Sequence, residues 1–186
     1  LDVGQLFIVR SSPDGVTTIT GVPPALLSAQ STARSLPGAL LSRRVVVAEG
    51  KTEHGMISRL FEEWDLRASG ERNVSPVLAG TTVVDGEGED FFVQRSLALS
   101  ELGFPVFMFC DRDVSEIERK LMGAASLGIQ LGGPQTGFCL EQQIASDVSP
   151  SALEVFVREG IRMKKFDSVM HFLKAAGAPD CEPGKH

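Results

Sequence analysis

Cysteine is scarce in this chain: only Cys110, Cys139 and Cys181 occur among 186 residues. Their odd number and wide spacing exclude a disulfide framework and a cysteine-built zinc site, and they point to a reducing, cytoplasmic setting. Histidine is equally sparse. His54, His171 and His186 lie scattered without metal-ligand spacing, so even His54, next to Glu53, is expected to be an ordinary surface histidine. No segment approaches the roughly 18 consecutive apolar residues of a membrane span. The first residues also lack the basic, apolar and small-residue order of a secretory signal, so no membrane association is expected. A Gly-x-x-x-x-Gly-Lys-Ser/Thr loop is missing as well, and Gly184-Lys185 comes too close to the last residue to supply one. P-loop binding of a nucleoside triphosphate by these residues is thereby excluded. Positive charge is short: 18 Lys and Arg face 24 Asp and Glu, a formal charge of -6. That balance is unusual for a protein gripping phosphates, unless clustered acids are neutralised by bound cations.

What is present suits one substantial core with a small helical appendage, since 42% of the residues are hydrophobic. Up to about Ser42 the pattern is one short strand and then turn-rich sequence, interrupted by Asp14-Gly15, Pro23-Pro24 and Pro37-Gly38. From Arg43 strand and helix signals alternate, which predicts an α/β fold with a parallel sheet and crossover helices. The first strand is expected at Arg44 to Ala48, followed by a helix with Met56, Ile57, Leu60, Phe61 and Trp64 on one face. A second strand is expected near Val74 to Ala79, ending at Gly80. Asp85 to Asp90 then lead into a helix containing Phe91, Phe92, Ala98, Leu99 and Leu102. Pro105 opens a third strand that ends at Asp111, Ile117, Leu121 and Ala124 mark the next helix, and a fourth strand signal lies within Gly128 to Leu140. Ser149-Pro150 is a good N-cap and first-turn pair for two amphipathic helices, near Ala152 to Arg158 and Phe166 to Ala176. The expected domains are 1–42 (a junction), 43–148 (the α/β domain) and 149–186 (a helical add-on).

Two apolar runs end in knots of carboxylates: Val45-Val46-Val47-Ala48-Glu49-Gly50-Lys51-Thr52-Glu53 and Phe107-Met108-Phe109-Cys110-Asp111-Arg112-Asp113. In an open parallel sheet the carboxyl ends of neighbouring strands converge on one crevice, so acids far apart in sequence meet there. A hard divalent cation such as magnesium takes oxygen ligands and keeps several waters, so one or two rigidly held carboxylates are enough to bind it. Gly50 permits a sharp bend from strand to helix, and Glu53 lies one helical turn beyond Glu49. Each acid has a plainer role open to it. Glu49 and Glu53 suit the positive end of the following helix, Glu141 suits a helix N-terminus, and Asp147 suits a cap before Pro150. Asp85, Glu87, Glu89 and Asp90 fit a solvated turn and helix start better than a ligand set.

The order Glu49-Gly50-Lys51-Thr52-Glu53 and then Asp111-Arg112-Asp113 resembles the Toprim domain of OLD (overcoming lysogenization defect) nucleases. That module carries Glu-Gly-x-Thr-Glu after its first strand and Asp-x-Asp after its third. The resemblance covers Arg43 to Glu141 and implies a Toprim-like parallel sheet flanked by helices, with a small C-terminal helical add-on. It also implies a DNA endonuclease that nicks or cleaves by two-metal phosphodiester hydrolysis, using two magnesium or manganese ions. The metal ligands it implies are Glu49, Glu53, Asp111, Asp113 and Glu141, the last in a Leu-Glu pair like the family's. Glu49 would also accept a proton, and a lysine beside the metals would come from Lys164, Lys165 or, in a Gly-Lys pair, Lys185. Gln5 to Pro13 resembles the last strand of an ABC-type ATPase domain, which implies fusion to such a domain; Ser11 stands where the family has histidine. Two other readings stay open. A catalytically inactive Toprim module would bind DNA or a partner without cutting. An apolar strand ending Asp-Arg-Asp-Val also resembles haloacid-dehalogenase-type phosphotransferases, although those have no preceding Glu-Gly-x-Thr-Glu strand.

Overall fold

The computed structural model describes residues 5–12, 14–23, 37–68, 75–112 and 115–163. These contain strands β1 (Phe7–Ser11), β2 (Thr17–Gly21), β3 (Arg44–Ala48), β4 (Thr81–Asp85), β5 (Val106–Phe109) and β6 (Gln130–Gly132). The helices are α1 (Pro37–Leu41), α2 (Lys51–Ala68), α3 (Glu89–Glu101), α4 (Ser115–Ser126), α5 (Leu140–Asp147) and α6 (Pro150–Met163). The chain divides into two compact units, Leu1–Leu140 and Glu141–His186.

In the first unit, four parallel strands lie in the order β4-β3-β5-β6. The chain steps from β3 to β4 on one side, then returns past β3 to β5 and continues to β6. Strand order therefore reverses between β3 and β5. Right-handed crossovers made in opposite directions place their helices on opposite faces, and the side chains of β3 record this. Val45 and Val47 pack in one core with Phe92 and Leu99 of α3, with Leu102 just after it, and with Leu121 and Ala124 of α4. Val46 and Ala48 point the other way, towards Met56, Ile57 and Phe61 of α2. A strand buried on both faces has to be apolar at every position, which is why Val45-Val46-Val47-Ala48 shows no alternation. Each fully buried Val, Leu, Phe or Met contributes on the order of 1.5–3 kcal/mol.

The strand expected at Val74 to Ala79 is corrected by the structure. Ser75 to Gly80 form a turn, closed by Ala79 N–H donating to the Ser75 carbonyl (2.9 Å) and Gly80 N–H to the Val77 carbonyl (2.9 Å). Pro76 has no N–H to offer a sheet, and Gly80 leaves the turn at φ 75°. The β-branched run Thr81-Thr82-Val83-Val84 then supplies the strand. The turn-rich stretch after β1 also contains a strand. Ser12 N–H donates to the Val16 carbonyl (2.9 Å) around Asp14-Gly15, so β1 and β2 form an antiparallel hairpin with Val9 opposite Ile19. Its inner side chains, Ile8 with Leu6 and Val22, join the α3/α4 core. Arg10 fastens the hairpin: its Nη2 donates to the Arg43 carbonyl (2.7 Å) and its guanidinium lies 4.4 Å from the Phe104 ring centre. Burial lowers the Arg10 pKa below its usual value.

In the second unit, Ser149 caps α6 as expected, its hydroxyl accepting from the Ala152 N–H (3.3 Å). Glu154–Arg158 and Glu159–Arg162 ion pairs run along the exposed side of this helix. The helix expected near Phe166 to Ala176 lies outside the described residues. No described helix is long and apolar enough to cross a membrane.

Candidate metal centre

The ends of β3 and β5 lie side by side, with Ala48 opposite Phe109. One more ladder bond follows, from Glu49 N–H to the Phe109 carbonyl (2.9 Å), and Cys110 N–H donates to Gly132 on β6 (3.3 Å). Glu49 and Asp111 therefore leave the sheet at the point where strand order reverses, the usual ligand position in open α/β sheets. There they meet. Asp111 N–H donates to Glu49 Oε2 (3.1 Å), and Asp111 Oδ1 accepts from the Leu140 N–H (2.7 Å). Charge-assisted bonds of this kind fix carboxylates firmly. Arg112 is held on both sides, its N–H donating to the Phe138 carbonyl (3.1 Å) and its carbonyl accepting from Gly137 (2.7 Å). Gly133 passes so close that a Cβ there would lie 2.2 Å from the Cys110 carbonyl oxygen.

Glu53 takes a defined position one turn into α2. Its Oε2 accepts from the Gly50 N–H (3.0 Å), the return half of a capping box in which a glutamate at the third helical position reaches back to the cap. Its 8% exposure shows that this carboxylate is tucked in and not solvated.

The loop after β4 is bonded to the end of β3 beside Glu49. Gly86 N–H donates to the Ala48 carbonyl (2.6 Å) and Gly88 N–H to the Glu49 carbonyl (2.9 Å). A Cβ on Gly86 would sit 2.6 Å from that Ala48 oxygen and 2.9 Å from Phe92 Cβ, so only glycine allows this approach. Asp85 is the last residue of β4, beside Ala48, and its Oδ1 accepts from the Glu87 N–H (2.8 Å). It terminates a strand and is half-buried, unlike the solvated turn residue expected.

Of the expected site residues, Glu49 and Asp111 are brought into contact, and Glu53 stands at the start of the helix that follows Glu49. Glu141 is exposed in the first turn of α5 and belongs to the second compact unit. Asp113, Lys164, Lys165 and Lys185 lie outside the described residues. Among the described residues, no three His, Cys, Asp or Glu side chains converge as a metal-binding group. What is brought together is two acids on adjacent strand ends, the Glu49 carboxylate bonded to the Asp111 main chain, and oxygen donors of this kind fit a hard divalent cation keeping much of its water shell. Sequence reasoning missed Gly86, Gly88 and Arg95. Arg95 left a trace, being a charged residue at a buried position of the stripe Phe92, Ser96, Leu99, Leu102.

Comparison with known proteins covers this part of the chain. Residues 40–113 match the family described as "Overcoming lysogenization defect protein-like, TOPRIM domain", a span that includes β3, β4, β5 and both carboxylate knots. No curated protein and no solved structure matches the chain. The reversal of strand order, the acids at its strand ends and the matched span agree in one respect: residues 40–113 are similar to a Toprim domain of the OLD-like family, a metal-binding, nucleic-acid-processing module.

Proposed function

We propose that this chain carries the catalytic part of a magnesium- or manganese-dependent DNA endonuclease. The observation that carries the proposal is the direct tie between Glu49 and Asp111 at the reversal of strand order. In this reading Glu49, Asp111 and Asp113 hold one divalent cation, and Glu53 with Glu141 serves a second. Bound cations supply charge neutralisation at the scissile phosphate and make water a stronger nucleophile at neutral pH. A carboxylate oxygen of Glu49 accepts the proton of the attacking water. Lys185 is the candidate to stabilise the charge that develops on the phosphate. The backbone donors on Glu49 and Asp111 keep both carboxylates oriented before substrate arrives, so little reorganisation is needed in the reaction.

The test is nicking of supercoiled plasmid by the purified chain with magnesium or manganese. Cleavage that disappears in Asp111→Asn supports the endonuclease; equal cleavage by wild type and Asp111→Asn refutes it. Metal binding without any cleavage favours the inactive Toprim module. Hydrolysis of small phosphate esters in place of DNA favours the phosphotransferase.

A further inference from the structure

We propose that Arg95 is a positioning residue for the cation held at Glu49, acting through the loop Asp85 to Gly88. The inference deepens the metal-site reading above and rests on it. Arg95 lies on α3 and is 2% exposed, a rare burial for a guanidinium. Its Nη1 donates to the Asp85 carbonyl at the end of β4, and its Nη2 stands 3.3 Å from Glu87 Oε1. One side chain thus grips both ends of the turn that carries Gly86. On its other side the same turn grips the site, Gly86 N–H on the Ala48 carbonyl and Gly88 N–H on the Glu49 carbonyl.

Packing alone gives no reason for an arginine here. The other buried positions of α3 are Phe92, Ser96, Ala98 and Leu99, none of them charged, and a leucine or methionine in place of Arg95 would fill the space without the cost of desolvating a cation. What an apolar side chain lacks is the planar fork, which can hold a carbonyl and a carboxylate at once. Glu87 is held at φ 63°, an unfavourable conformation for a non-glycine residue, and its side-chain pairing with Arg95 helps keep it there. Arg95 therefore sets the height of the loop against the Ala48-Glu49 peptide, and through it the direction from which the Glu49 carboxylate approaches a cation.

The experiment is calorimetric titration of Mn2+ into wild type, Arg95→Lys and Glu87→Gln, with amide hydrogen exchange at Gly86 and Gly88 measured on the metal-free proteins. Arg95→Lys keeps the charge and loses the fork, so Mn2+ affinity falls about tenfold or more, as for other residues that support a metal ligand. Glu87→Gln, at a half-exposed pair, lowers it about threefold. Exchange at Gly86 and Gly88 accelerates in both variants, while the amides of Val46 and Val47 stay protected. A merely structural role would leave Mn2+ affinity unchanged in any variant with a wild-type circular dichroism spectrum. A folded Arg95→Lys with wild-type affinity and wild-type exchange overturns the proposal. Should Arg95→Lys not fold, Glu87→Gln decides by the same two readings. Wild type that binds no Mn2+ refutes the metal-site reading itself, and the positioning role with it; wild-type binding untouched by both variants refutes the positioning role alone.

Discussion

The main-chain N–H of Asp111 donates to the side chain of Glu49 at 3.1 Å, so one acid of the site is oriented by the backbone of the other. The bond joins the ends of two adjacent parallel strands that are 62 residues apart in sequence. Its consequence is that Glu49 has a structural duty separable from metal binding. Glu49→Gln keeps an acceptor for the Asp111 N–H and leaves urea stability within about 1 kcal/mol of wild type, whereas Glu49→Ala orphans that donor at a cost of about 1–3 kcal/mol. Chemical denaturation of the metal-free proteins distinguishes the two. Equal stability of Gln and Ala variants would show that the bond contributes nothing.

Glu53 allows a similar separation. Glutamine serves at the third position of a capping box as well as glutamate does. Glu53→Gln therefore preserves the α2 start and the thermal midpoint, while Glu53→Ala loses a hydrogen bond worth about 0.5–1.5 kcal/mol. If Glu53 also serves a cation, Glu53→Gln reduces plasmid nicking without loss of stability. Full nicking activity in this variant assigns the residue to capping alone.

Gly86 is a position where a single methyl group is expected to disturb the site. Its Cβ would press on the Ala48 carbonyl at 2.6 Å and on Phe92 Cβ at 2.9 Å, both parts of the rigid framework. Gly86→Ala should destabilise the protein by about 1–3 kcal/mol, the usual range for overpacking. Gly55→Ala, with nothing within 4 Å of the added Cβ, is the control and should be neutral or slightly stabilising. Thermal denaturation of both variants checks this contrast.

Much of the fold was legible because its signals are local. Val45 to Ala48 is too apolar for anything but a strand buried on both faces, and the spacing of Phe92, Leu99 and Leu102 marks one face of a helix. The β4 strand was misplaced because Val77 and Leu78 are as apolar as strand residues. Only the missing N–H of Pro76 and the left-handed exit at Gly80 decide that Ser75 to Gly80 form a turn, with Val77 and Leu78 exposed. The pairing of β1 with β2 was hidden for a related reason: Asp14-Gly15 looks like an interruption until Thr17 to Thr20 are seen to return beside β1. At the site, the carboxylates were visible as strand-end acids. The donors that orient them were not, because the Asp111 and Leu140 N–H groups, like the Gly86 and Gly88 N–H groups that hold the backbone at Ala48 and Glu49, carry no side-chain signature and come together only through topology. Arg95 was overlooked because one charged residue barely weakens an apolar helix stripe.

Arg10 joins the hairpin to the sheet domain by a side-chain hydrogen bond. The bond from its guanidinium to the Arg43 carbonyl, together with stacking on Phe104, should make Arg10→Ala lose about 2 kcal/mol. Because the contact lies at the amino-terminal ends of β3 and β5, away from the carboxylates, Mn2+ affinity should not change. A destabilised variant with intact metal binding fits this prediction. Loss of metal binding at temperatures where the variant is folded would contradict it.

Cation binding should be visible in stability even without substrate. A ligand that binds only the folded chain raises unfolding free energy by about 2.7 kcal/mol when present at a hundred times its dissociation constant. Mn2+ should therefore raise the thermal midpoint of wild type, and a chelator should reverse the gain. Asp111→Asn keeps an oxygen to accept the Leu140 N–H but removes a negative charge from the donor set, so its metal-free midpoint should stay near wild type while the Mn2+ increment shrinks or disappears. Glu141→Gln separates the two proposed cation positions. If Glu141 serves the second one, this variant keeps the part of the increment that depends on Glu49 and Asp111 and loses the remainder. An increment unchanged in Glu141→Gln would leave that residue out of the ligand set, and one unchanged in Asp111→Asn would place the stabilising cation elsewhere on the protein.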